Sequence, residues 1–119
     1  MAVPLSKLAD AVSLADQKLD SQGFTHSILG HVADGNFHCQ IITDPNIAVE
    51  PTNIRRLVYE ITLEIIAMGG TCTGEHGIGA GKIDALEVEA ADSVGVMRSI
   101  KSALDLNGIL NPGKIFAAK

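Results

Sequence analysis

The chain has 119 residues, enough for one domain with a modest core. A hydrophobic fraction of 46% excludes a disordered chain, and a net charge of −5 without any basic cluster argues against nucleic acid as a partner. No apolar run is long enough to cross a bilayer, the first residues show no basic region followed by a long apolar run, and Cys39 and Cys72 form no CxxC pair. These features predict a soluble, cytoplasmic protein with reduced thiols.

The first predicted element is a helix opening at Pro4, where a missing N–H costs nothing. Leu5, Leu8, Ala9, Val12, Ala15 and Leu19 recur at helical spacing, and Gly23 supplies a stop. Two strands follow, Thr25 to Val32 and Asn36 to Thr43, with Ile28, Ile41 and Ile42 marking burial. Asp34-Gly35 between them signals a two-residue type I′ turn. That turn sets Ala33 opposite Asn36, Val32 opposite Phe37 and His31 opposite His38. The two imidazoles then share one face, with Gly30, Val32, Phe37 and Cys39 on the other. Paired imidazoles at this distance suit one metal ion.

Asp44-Pro45-Asn46 reads as a turn. A second helix opens at Pro51, carries an apolar stripe of Ile54, Leu57, Val58, Ile61, Ile65 and Met68, and ends at Gly69-Gly70. The segment from Gly69 to Lys82 holds six of the 12 glycines, a density that demands positive φ or close backbone approach. It is no P-loop: His76 stands where that pattern needs its first Gly, and Ile83 where it needs Ser or Thr. Its distinctive content is Glu75-His76. Ile83 to Glu89 reads as a short helical turn. A last helix, capped by Asp92 or Ser93 and running to Leu104, would bury Val94, Met97, Ile100 and Leu104. The tail from Asn107 to Ile115 alternates turn residues with apolar anchors and is expected to be ordered and packed.

His31, His38 and Glu75 together offer two nitrogen ligands and one oxygen, a recurrent catalytic set for zinc or a redox metal. His76, next to the carboxylate, is a candidate base near neutral pH. Spacing alone leaves the metal's identity open.

At these residues the sequence resembles a known family. Gly-His-Val-Ala-Asp-Gly-Asn-Phe-His (30–38), Gly-Thr-Cys-Thr-Gly-Glu-His-Gly-Ile-Gly (70–79) and Gly-Ile-Leu-Asn-Pro-Gly-Lys-Ile (108–115) are similar to three successive signatures of the C-terminal domain of FAD-linked oxidases. That family includes D-lactate dehydrogenase, glycolate oxidase and D-2-hydroxyglutarate dehydrogenase, and the likeness leans toward the cytochrome-linked D-lactate dehydrogenases. The resemblance implies a ferredoxin-like α+β fold with helices packed on one face of an antiparallel sheet. It implies that His31, His38 and Glu75 bind a divalent metal, often zinc, which holds a 2-hydroxy acid. It also implies that His76 takes the hydroxyl proton as hydride passes to FAD, and that Asn36 orients substrate or flavin. Ala33 departs from the family's usual Gly, and Ile83-Asp84 stand where basic residues are common. The resemblance further implies that residues 1–119 form one C-terminal domain, incomplete at its N-terminal side and lacking the flavin-binding domain. FAD is therefore expected in the complete enzyme and not in this chain alone, with a flavin-binding domain or subunit supplied in trans.

Two other readings remain open at this point. One is a non-catalytic binding or self-assembly module, with a homodimer covering an apolar face that lacks its neighbour. The other is a small metal hydrolase using Glu75 or His76 as base.

Overall fold

A computed structural model describes residues 1–43 and 51–117 of the chain. It has an α+β architecture. Among the described residues it contains helices α1 (Leu8–Ser21), α2 (Pro51–Ala67), α3 (Ile83–Glu89) and α4 (Ala91–Leu104), and strands β1 (His26–His31) and β2 (Asn36–Ile41). The chain divides into two compact units, residues 1–75 and 76–119. The predicted turn at Asp44-Pro45-Asn46 lies outside the described residues.

In the first unit, Pro4 opens a short 3-10 turn over Leu5–Lys7 before α1 begins. The buried stripe of α1 is Ala11, Ala15 and Leu19, with Leu8 and Val12 packed against it. Leu5 and Ala9 of the predicted stripe are instead exposed, because the 3-10 turn shifts the helical phase at the start. The helix ends as foreseen at Gly23. The Phe24 N–H donates to the Leu19 carbonyl (3.1 Å) and the Gly23 N–H to that of Asp20 (2.8 Å), the paired bonds of a Schellman end. The same pattern closes α2: the Gly70 N–H reaches Ile65 (3.0 Å) and the Gly69 N–H reaches Ile66 (2.9 Å).

β1 and β2 pair antiparallel, with Ile28 opposite Cys39, Leu29 opposite His38, Gly30 opposite Phe37 and His31 opposite Asn36. The predicted two-residue turn is therefore corrected. Val32–Asp34 form a 3-10 turn, and of Asp34 and Gly35 only Gly35 takes positive φ, at 67°. A type I′ turn needs positive φ at both positions, whereas this four-residue connection needs it at Gly35 alone. Gly35 is held from outside the hairpin as well. The Val3 N–H donates to its carbonyl (3.0 Å), and a Cβ on Gly35 would stand 2.1 Å from the Val3 oxygen.

One face of the hairpin carries Ile28, Phe37, Cys39 and Ile41 and packs on the helices; the other carries Leu29, His31, Asn36 and His38. Phe37 joins Val3, Leu19, Leu57, Ile61 and Ile65 in the core, with α1 packed against both strands and α2 against α1. Ile42, expected to be buried, is exposed just beyond the end of β2. Val58, placed on the apolar stripe of α2, is also exposed. Ala2 bridges both Asn36 and Thr71, tying the start of the glycine-rich segment to β2.

In the second unit, α3 matches the expected helix and α4 follows it after Ala90 alone. Neither Asp92 nor Ser93 caps α4, because its N-cap is Ala90, the residue that also ends α3. Val94 is buried, but Ile100 and Leu104 are exposed, as are Ile109 and Leu110 in the tail. The tail is ordered by polar contacts instead of apolar packing. The Asp105 carboxylate accepts from the Ile109 and Leu110 N–H groups (3.0 Å each) and from Lys101 (2.5 Å). The Lys101 ammonium beside it holds the Asp105 carboxyl below its usual range.

Candidate metal centre

The site is assembled on the solvent-facing side of the hairpin. His31 ends β1 and His38 lies two residues into β2 from Asn36, so the three side chains share one face. The two imidazoles sit diagonally, not directly opposed, with ring centroids 6.0 Å apart in an edge-to-face arrangement. Glu75 approaches from the glycine-rich segment. Its Oε1 lies 3.2 Å from His38 Nε2 and 4.0 Å from His31 Nε2. One ligand atom from each residue can be chosen so that all lie within 4.8 Å of one another.

The Asn36 side-chain N–H donates to the other carboxylate oxygen of Glu75. Asn36 itself is only 7% exposed, whereas the His31 side chain is 66% exposed, that of Glu75 47% and that of His38 22%. Gly74 makes this approach feasible. It takes φ 53°, and a Cβ there would stand 2.7 Å from Asn36 Oδ1. The glycine density read from sequence thus has a local cause beside the carboxylate.

This donor set fits a divalent cation. Ligand atoms around a tetrahedral zinc are about 3.3 Å apart, from metal–ligand distances near 2.0–2.1 Å. The His38–Glu75 pair is already at that separation, and His31 is exposed enough to rotate inward. Three protein ligands would leave coordination positions for a small molecule.

Of the residues singled out from sequence, His31, His38, Asn36 and Glu75 are brought together. His76 is exposed and opens the second unit. A further polar cluster escaped the sequence reading: His26, on the helix-covered face of β1. Its Nδ1 bonds to the Phe24 carbonyl (2.9 Å) and its Nε2 to Asp16 (2.9 Å), with Asp20 at 3.8 Å. No motif marks it; only the register of β1 against α1 reveals it.

A family profile described as FAD linked oxidases, C-terminal domain, matches residues 1–115. The chain belongs to this family. Among its relatives in the FAD-linked oxidase family, a Kluyveromyces lactis protein named D-lactate dehydrogenase [cytochrome], mitochondrial, is 43% identical over 117 residues, covering 98% of this chain and 20% of that protein. A Danio rerio protein named probable D-lactate dehydrogenase, mitochondrial, is 40% identical over 97% of this chain and 23% of its own length. The Bacillus subtilis glycolate oxidase subunit GlcD is 35% identical over 97% of this chain and 25% of its own. The chain thus spans about a quarter or less of the relatives it matches. Among the described residues no helix is long and apolar enough to cross a membrane.

Proposed function

We propose that this chain is the C-terminal part of a flavin-dependent D-2-hydroxy-acid dehydrogenase of the D-lactate dehydrogenase type. One observation carries the reading: in a chain of this family, His31, His38 and Glu75 converge with their ligand atoms within 4.8 Å on an exposed face. They would hold a divalent cation, for which we propose zinc. Such a cation supplies Lewis acidity to the hydroxyl and carboxylate oxygens of a 2-hydroxy acid, and FAD in the complete enzyme supplies the hydride acceptor.

The chain's own residues orient the acid and move its proton. Exposed His31 and Glu75 leave the substrate an open approach. His76 is the proposed base. A neutral imidazole accepts a hydroxyl proton near neutral pH, and its Cα lies about 3.8 Å from that of Glu75 along the chain. The flavin portion is proposed to lie outside residues 1–119 and to pack against them. Support comes from the exposed apolar surface of the second unit, where Ile100, Leu104, Leu106 and Ile109 are more than half exposed. Both cysteines are thiols, which accords with a reducing compartment: the cytoplasm, or the mitochondrion named for several relatives.

Metal analysis of the purified chain, before and after stripping and reloading with Zn²⁺, tests the reading. Near-stoichiometric zinc that His31→Ala and Glu75→Ala both abolish is the expected result. A chain that takes up no zinc after reloading overturns it.

A further inference from the structure

We infer that Asn36 is a positioning residue that acts through Glu75, fixing one carboxylate oxygen so that the other is presented to His31 and His38. The inference rests on the cation reading of the site and goes beyond it by naming what pre-forms the ligand set.

Asn36 begins β2, directly opposite His31 and on the same face as His38. It is the one member of the cluster that is nearly fully buried. Its Nδ2 donates to Glu75 Oε2, and Oε1 is the oxygen nearest both histidines. The amide cannot turn over without placing its oxygen against a carboxylate, two acceptors face to face, so chemistry fixes its orientation. In that orientation Oδ1 is buried with no hydrogen-bond partner. A buried unsatisfied oxygen is unfavourable and rarely kept without a use. Here it accompanies a donor aimed at a ligand carboxylate. Gly74 fits the same account, since any side chain at that position would press on Oδ1 and displace the amide. A glutamate on a glycine-rich segment otherwise samples many rotamers. A buried donor restricts that freedom and turns Oε1 toward the two histidines, the arrangement by which outer partners tune metal sites.

The test is a double-mutant cycle on the 119-residue chain with Co²⁺ as probe, read by its visible absorption. Asn36→Leu keeps the side chain's size and removes the donor. It is expected to weaken Co²⁺ binding about 10- to 100-fold. In a Glu75→Ala background, titrated at the much higher Co²⁺ concentrations that two histidines alone require, the same change is expected to have less than about a twofold further effect, because nothing is left to position. Equal weakening in both backgrounds, or no weakening in either, overturns the proposal. Thermal unfolding of the metal-free variants checks folding. If Asn36→Leu does not fold, Asn36→Asp, which keeps the shape but opposes carboxylate to carboxylate, carries the same cycle.

A readout without metal separates this proposal from the reading beneath it. The Asn36 side-chain amide signals in the metal-free protein are expected to shift and exchange faster in Glu75→Ala. Signals unmoved by Glu75→Ala overturn the positioning contact whatever the metal result. Coupled signals in a wild-type chain that binds no Co²⁺ support the contact and overturn the cation reading alone.

Discussion

At the scale of single residues, the outer face of the hairpin and its core face use histidine in opposite ways. His31 and His38 face solvent and a carboxylate, whereas the His26 side chain is only 7% exposed and sits between a backbone carbonyl and Asp16. Both His26 ring nitrogens face oxygen acceptors, so both are best satisfied when protonated. The Phe24 carbonyl, then the Asp16 carboxylate, hold its pKa above the ordinary 6.5. A folded pKa above the unfolded one makes the contribution to stability complete below about pH 6.5 and lost as pH rises through the folded value. Urea unfolding of wild type and His26→Gln at pH 5.5 and 8.5 checks this. The gap between the two proteins should be largest at pH 5.5 and shrink at pH 8.5. A constant gap would mean that His26 acts by packing alone. Comparison with His26→Gln matters because the other histidines titrate in both proteins.

At the scale of elements, the hairpin shows how a mistaken turn can leave two histidines on the face expected of them. Asp34-Gly35 predicted a two-residue turn, and the structure uses four residues, Val32 to Gly35. The register moved by two, from His31 opposite His38 to Leu29 opposite His38. An even shift keeps every side chain on its face, whereas a shift of one would have sent a histidine into the core. Strand alternation was therefore legible, while the turn was decided by a distant contact, Val3 on Gly35, that local sequence does not carry. The helix stops at Gly23 and Gly69 were legible because Schellman geometry is local. The meeting of Glu75 with the hairpin was not: it depends on Ala2 bridging β2 to Thr71, a long-range pairing. Gly35→Ala tests how far the site depends on this contact. A left-handed Ala costs about 1–2 kcal/mol, and the Val3 clash adds to it. Urea unfolding should show at least that loss, with zinc uptake reduced as the His31–His38 diagonal is disturbed.

At the scale of the whole molecule, the two units distribute apolar surface differently. The first buries Leu19, Ile61 and Ile65 almost completely. The second buries Ala85, Leu86 and Val94 but leaves Val96, Ile100, Leu104, Leu106 and Ile109 largely exposed. Helical periodicity read α4 as a buried stripe because periodicity reports an apolar face, not whether the chain in hand covers it. The difference is measurable by substitution. Ile61→Ala should cost about 2–5 kcal/mol by leaving a cavity among α1, α2 and Phe37. Leu104→Glu with Ile109→Glu should each change stability by no more than about 0.5 kcal/mol, since neither side chain gives up a core contact. The same pair should alter association strongly. In sedimentation velocity the wild-type chain is expected to self-associate with rising concentration through this surface, and the double variant to stay monomeric. Zinc content should be equal in both, because His31, His38 and Glu75 all belong to the first unit. A variant that loses stability as Ile61→Ala does would show that these residues pack in a core after all. An unchanged association constant would place the contact surface elsewhere.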